Sequence, residues 1–365
     1  MAYDSRFLSQ LSDAYERGHV SSEALKRLLE LKYGKDSEIE KELLDKACSD
    51  AAASGSGRQT DLSAPRISVV IATHNRIEML CRCIDSILEQ RYPDIEVVVV
   101  DDCSTDDTQE VIPVRYPSVR YYRNDKNLGP GRARQKGYNL SAGAYVIFSD
   151  DDDFYVDPQF FAKAAEILAL HENVAMVCAN SAVYYTESKE LKFFPFSFAG
   201  MMSGKKYLKG FMTKYLKPQS TFPAVLRKSV LEQAGFKDMQ MMNDTSIYLR
   251  TLCFGDVYAL EDWIGVYWVH GGSIGRGLPH QFIIGNLDEK RRIYLLVRKV
   301  FGRDMPSWYC SQLMITINHY LNSRRLETGK FLSVLWWIVR YGHPARKRLI
   351  RETVKTQWKQ MNKRK

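Results

Sequence analysis

The sequence predicts an α/β chain built on a mixed, mostly parallel sheet flanked by helices, with helical extensions at both ends. Three observations carry this. Ile67–Thr73 (ISVVIAT) and Ile95–Val100 (IEVVVV) are nearly unbroken β-branched runs, the pattern of strands covered on both faces. Strand-like and helical stretches then alternate to about residue 150, which implies right-handed β-α-β units. Each strand-like run also ends in polar residues: Thr73-His74-Asn75, Asp101-Asp102 and Asp150–Asp153. Open sheets of this kind bind ligands at the carboxyl ends of their strands.

The elements follow in order. Residues 1–50 read as helices, with Leu25, Leu28, Leu29, Leu31, Ile39, Leu43 and Leu44 at helical spacing among charges. Residues 51–65 (AAASGSGRQTDLSAP) are small and polar, a linker composition. The N-terminal piece is either an accessory module or a helical hairpin packed on the body. Arg76–Gln90 places Met79, Leu80, Cys83, Ile84, Ile87 and Leu88 on one helical face. A short helix begins at Thr108–Ile112, a third strand is Val119–Tyr122, a helix spans Gly131–Ser141, and Ala144–Ser149 is a fourth strand. Beyond Gly277 helical patterns return at Ile293–Val300, Ser311–Leu321 and Phe331–Val339. The expected division is 1–63, a helical extension and linker; 64–280, the α/β domain; and 281–365, a helical basic region.

Composition narrows the function. The 365 residues carry a net charge of +9. Residues 321–365 hold thirteen basic groups and two acids, so the other 320 residues are near neutral at −2. That argues against a nucleic-acid-coating protein and for a neutral body with a basic end. Seven cysteines with no C-x-x-C pair argue against a disulfide framework or a zinc site. No run of 18 apolar residues occurs, and Met1–Gln10 lacks the apolar stretch of a signal peptide, so a cytoplasmic location is expected.

Four constellations carry chemistry. Asp101–Asp106 follows a buried strand; Asp102 can accept from a nucleobase or a ribose, or the segment can serve as an Asx turn and helix cap. Asp150–Asp153 places four carboxylates in a row, which repel unless a cation joins them. Alternation along an extended segment puts Asp150 and Asp152 on one side. That suits Mg²⁺ or Mn²⁺ together with substrate phosphates; the bland alternative is a solvated loop. Asn127–Arg134 is glycine-containing, but Arg134 stands where a dinucleotide fingerprint needs glycine, and no Walker A motif occurs. Asp244 opens a helical pattern and is either a cap or a general base.

Together, ISVVIATHNR, VVVVDDCSTDDT, NLGPGRAR, AYVIFSDDDD and NDTSIYLR resemble the family 2 glycosyltransferases of GT-A fold, in the same order over roughly residues 66–275. The resemblance implies a metal-dependent, inverting, non-processive enzyme, since the Q-x-x-R-W motif of processive synthases is missing. It implies a hexosyl- or N-acetylhexosaminyl-transferase that takes a nucleotide-sugar, by expectation a UDP-sugar, and passes one sugar to a saccharide or lipid-linked saccharide in surface polysaccharide synthesis. It assigns Ala72, His74, Arg76, Asp102, Arg134, Asp150 and Asp151 to the donor, with His74 stacking on the base. Asp152, Asp150 and His270 would hold Mn²⁺ or Mg²⁺, and Asp244 would be the catalytic base. The family's Glu-Asp pair is here Asn243-Asp244. No nucleic-acid partner is expected. Phe331–Val339 and the basic residues after it fit either an anionic membrane surface, on the inner face of the cell membrane, or packing against the body. A nucleotidyltransferase releasing pyrophosphate, and a non-catalytic saccharide- or nucleic-acid-binding protein, are the competing readings.

Overall fold

The computed structural model describes residues 4–34, 64–271, 279–323 and 328–362. The alternating segment forms β1 (Ile67–Thr73), α3 (Ile77–Leu88), β2 (Ile95–Asp101), α4 (Thr108–Arg115), β3 (Arg120–Arg123), α5 (Pro130–Leu140) and β4 (Tyr145–Asp150). These four strands pair in parallel in the order β3-β2-β1-β4. The β-branched runs of β1 and β2 are buried almost throughout, as strands covered on both faces require.

The chain continues through β5 (Phe154–Tyr155), α6 (Phe160–Leu170), β6 (Val174–Tyr185), β7 (Glu190–Phe193), β8 (Gly200–Met202) and α7 (Gly204–Gly210). Then come β9 (Ala224–Arg227), α8 (Lys228–Gln233), α9 (Asp244–Thr251) and β10 (Asp256–Val269). β9 runs antiparallel between β4 and β6, β6 is parallel to β10, and the order along the ten-stranded sheet is β3-β2-β1-β4-β9-β6-β10-β5. The sheet is mixed and mostly parallel, flanked by helices, as expected from the sequence. The mixed stretch 220–275, which shows no clear period, holds both the antiparallel insertion and the long bulged strand β10. Bulges interrupt the alternation on which periodicity depends.

At the N-terminus, α1 (Ser5–Glu16) and α2 (Ser22–Tyr33) form a helical pair. Phe7, Leu11, Leu25, Leu28 and Leu29 share an apolar cluster with Ala182, Trp263 and Val266 of β6 and β10. The hairpin therefore packs on the body. Ile39, Leu43, Leu44 and, of the expected linker at 51–65, residues 51–63 lie outside the described residues.

At the other end α10 (His280–Phe301), α11 (Pro306–Ser323), α12 (Thr328–Tyr341) and α13 (Arg346–Asn362) pack together. Leu287, Ile293, Leu313, Ile317, Trp337 and Leu349 join the same core as Phe148, Tyr248 and Leu249 of the sheet side. Part of the Phe331–Val339 stretch is thus packed: Val334, Trp337 and Ile338 are buried, whereas Leu332, Trp336 and Val339 are exposed. Among the described residues no helix is long and apolar enough to cross a membrane.

Candidate active site

Parallel register sets up the site. Thr73 pairs with Asp101, and Ala72 pairs with Asp150, so the carboxyl ends of β1, β2 and β4 lie side by side. Two non-glycine residues just past these ends, Asn75 (φ 54°) and Cys103 (φ 66°), adopt left-handed backbone. Such conformations persist only where surrounding contacts hold them. Here the two loops interlock: Asn75 N donates to Ser104 Oγ at 2.9 Å, and Thr105 N donates to Asn75 Oδ1 at 2.6 Å.

Asp102 is 3% exposed and fully engaged. It accepts from Asn124 Nδ2 at 2.9 Å, Leu128 N at 2.9 Å and Gly129 N at 2.6 Å. It therefore holds the entry to α5, where Gly129 (φ 84°) adopts a backbone conformation that favours glycine and Pro130 takes the first helical position. Asp106, not Asp102, performs the capping expected of this loop, accepting from Ile77 N at 3.1 Å and from Thr108 N at 3.3 Å.

The four-aspartate run splits by direction. β4 ends at Asp150 and the chain turns at Asp151–Asp152, so strict alternation stops there. Asp150, Asp152 and Asp153 each offer an oxygen within 4.8 Å of the others. Asp151 faces β1 instead, accepting from Thr73 Oγ1 at 2.8 Å and Arg76 Nη1 at 2.9 Å. Arg76 also reaches Asp152 at 3.1 Å, and His270 Nε2 lies 3.1 Å from the same oxygen. Arg134 pairs with Asp150, which also accepts from Ser220 Oγ at 3.2 Å. Burial pushes Asp151 up to about 6, against the pull of Arg76. Burial and the Asp150 charge raise Asp152, and burial raises Asp153 well above the carboxylate range. Asp153 Oδ2 is buried without a partner. Three clustered carboxylates, of which Asp152 and Asp153 are raised and Asp153 has an unpaired oxygen, fit a hard divalent cation, which supplies the charge that burial withholds.

Asp244 is the first residue of α9. Asn243 takes the cap role, accepting from Ser246 N at 2.9 Å, which leaves the Asp244 carboxylate directed to the cavity. Lys217 Nζ sits 2.5 Å from it. Burial pushes this carboxyl up, but the Lys217 ammonium outweighs it and holds the group below the usual carboxylate range. Arg134 ties this side to the acidic one, donating also to Met242 O at 3.2 Å.

One cavity of about 610 Å³ joins these parts. Ala72, His74, Arg76, Asp102, Arg134, Asp150, Asp151, Asp152 and Asp244 all line it; His270 stands behind Asp152. Lys217, Ser220, Asn286, Lys290 and Gln312 line it too. None of these five sits in a motif, so the sequence carried no signal for them. Asp153 was visible in the run, but its grouping with Asp150 and Asp152 depends on the turn.

Residues 68–235 match the family model described as Glycosyl transferase family 2. The chain carries a family 2 glycosyltransferase domain. Relatives include the succinoglycan biosynthesis protein ExoO of Rhizobium meliloti, 39% identical over 24% of this chain and 26% of that protein. The GalNAc(5)-diNAcBac-PP-undecaprenol beta-1,3-glucosyltransferase of Campylobacter jejuni is 28% identical over 51% of this chain and 59% of its own. WfaP of Escherichia coli, a UDP-Glc:alpha-D-GlcNAc-diphosphoundecaprenol beta-1,3-glucosyltransferase, is 24% identical over 57% of this chain and 79% of its own. The matches cover only 13%, 16% and 26% of the length of three curated relatives at 38–39% identity. Among solved structures, S. aureus TarS 1–349 in complex with UDP-GlcNAc superposes with a TM-score of 0.53 at 15% identity, covering 80% of this chain and 90% of that one. That likeness shows the GT-A fold for the family 2 domain and its helical C-terminal region.

Proposed function

We propose that this protein is a divalent-metal-dependent, inverting glycosyltransferase that moves one sugar from a nucleotide-sugar, a UDP-hexose or UDP-N-acetylhexosamine, to a hydroxyl of a saccharide or lipid-linked saccharide in polysaccharide synthesis. The observation that carries the reading is a single cavity with the acidic cluster at one wall and the Asp244 carboxylate at another, with Arg134 bonded to Asp150 on the first side and to the main chain at Met242, two residues before Asp244, on the second. Asp150, Asp152 and Asp153 hold Mn²⁺ or Mg²⁺, with His270 and Arg76 orienting Asp152. The cation, when bound, neutralises charge on the departing diphosphate. His74, exposed beside the strand ends, and Ala72 face the nucleotide; Asp102 supports that wall through α5. Asp244 takes the proton of the acceptor hydroxyl as that oxygen attacks the anomeric carbon from the face opposite the leaving group. Its low basicity while paired means that Lys217 must yield to the acceptor before proton transfer, since a base works best with a pKa near the working pH. The division at 64–280 and 281–365 belongs to this reading as catalytic core and helical wall.

The helical end also supports contact with the inner face of an anionic membrane. Leu332, Trp336 and Val339 recur at helical spacing on α12 and are exposed, and Trp358 is exposed on α13 among Arg351, Lys355 and Lys359. Flotation with phosphatidylglycerol vesicles should retain the full chain and release a Trp336→Ser/Trp358→Ser double variant; equal retention of both removes this element.

The central test is a panel of nucleotide sugars with Mn²⁺, scored by product. Release of a nucleoside diphosphate, dependent on metal, is expected. Release of pyrophosphate would make the protein a nucleotidyltransferase instead.

A further inference from the structure

The cavity wall formed by α10 and α11 lies outside the residues matched by the family model. Asn286 and Lys290 are one turn apart on α10, and Gln312, Thr316 and His319 are spaced one turn apart on α11, so each set projects from one helix face. Lys290 and Gln312 are 3% and 1% exposed. Lys290 Nζ donates to Gln312 O at 2.6 Å, which uses one of its N–H groups. Gln312 Nε2 donates to Phe211 O at 2.9 Å. A carbonyl cannot donate, so this bond fixes the amide's orientation and aims Oε1 elsewhere, and Oε1 has no partner.

Gln312 has company. Asn286 Oδ1 is buried and unpartnered, and so are Asn243 Nδ2 and Arg134 Nε. The Asn243 amide is fixed in turn by the Ser246 N–H that its oxygen accepts. All four residues line the same cavity. Buried polar groups are almost always bonded, and four exceptions around one cavity point to partners that arrive with a ligand. The set mixes donors with acceptors. Between them the lining is apolar: Met212, Met241, Phe282, Ile283 and Ile315.

A pyranose matches both features. Each hydroxyl offers an O–H and two lone pairs, and the ring's C–H face is apolar. An anion brings acceptors only and would leave Gln312 Oε1 and Asn286 Oδ1 unpaired. Burial also pushes Lys290 down to about 7, against the pull of Asp244, so the wall offers no full fixed charge near neutrality.

We propose that the α10–α11 wall is a saccharide subsite, in which Asn286, Lys290 and Gln312 read the hydroxyls of the acceptor sugar and so set acceptor specificity. The word acceptor rests on the reading of Asp244 given above; sugar binding at this wall does not.

The test is saturation-transfer NMR on the full chain with UDP and Mg²⁺, using methyl β-glycosides of glucose, galactose, N-acetylglucosamine and N-acetylgalactosamine. At least one glycoside should receive saturation, with its Kd weakened about tenfold or more in Gln312→Leu, Asn286→Leu and Lys290→Met. UDP affinity by calorimetry should stay within about twofold in the same variants. Asn286→Asp keeps the acceptor oxygen and should retain binding, which separates recognition from packing damage in Asn286→Leu. No saturation of any glycoside, parallel loss of UDP and glycoside, equal loss in Asn286→Asp and Asn286→Leu, or preferential binding of methyl phosphate that depends on Lys290 would each overturn the proposal. Asp244→Asn should bind the glycoside unchanged. If that variant also turns over normally, the catalytic assignment falls while the subsite stands.

Discussion

The two walls of the cavity are built from differently organised sequence. The acidic wall draws on three short segments, 72–76, 101–106 and 150–153, each at the end of a buried strand. The opposite wall collects one short segment, 241–245, and scattered residues and pairs from 212 to 319, spread over loops, helices and β10. Parallel register makes the first wall: once β1 pairs with β2 and β4, their ends must coincide. Helix packing makes the second, and it leaves the identity of each residue to the shape and polarity of what it faces.

The largest effect should come from the carboxylate of the opposite wall. Asp244→Asn removes the base and should lower transfer about 10³-fold with donor affinity unchanged, measured by turnover against calorimetric binding of the donor. Near-normal turnover would remove Asp244 from the mechanism. Next is the acidic wall's support. His270→Ala removes the 3.1 Å contact on Asp152 and should weaken Mn²⁺ binding in the presence of UDP about 10–100-fold, read by titration calorimetry.

A third change probes the contact that holds Asp244. Lys217→Met removes the positive neighbour, so the carboxyl's pKa rises and the acid limb of the pH–rate profile should move up by about one unit or more. An unmoved limb would mean that Lys217 is not the group setting Asp244.

The smallest effect is on stability. Asp151 keeps its proton up to about 6 when folded, against an ordinary value of 3.8. Protonation therefore favours the folded state. The benefit is complete below the ordinary value and is lost as pH rises through about 6. In EDTA, Tm should fall between pH 4.5 and 6.5, with a shallower fall in Asp151→Asn.

This comparison also sets how much could be read from the sequence. The strand ends were legible because burial forces continuous β-branched runs and any carboxylate just beyond them is conspicuous. The split within Asp150–Asp153 was not, since alternation holds only while the strand lasts and β4 stops at Asp150. Asp244 was legible as a helix-opening acid, but its partner Lys217 lies 27 residues upstream in a loop without periodicity. Lys290 and Gln312 look like ordinary polar residues of amphipathic helices. Only the fold shows that their faces turn inward.

Arg134 donates to Asp150 on one side and to the main chain at Met242, two residues before Asp244, on the other. The spacing between the group that would receive the departing phosphate charge and the group that would accept the incoming proton is thereby referenced to one rigid guanidinium on one helix. Gly131, one turn earlier on α5, sharpens this: a Cβ there would come within 3.3 Å of Met242 N. A change at Gly131 therefore alters the distance over which the sugar must travel, without replacing any side chain that faces the sugar's own hydroxyls.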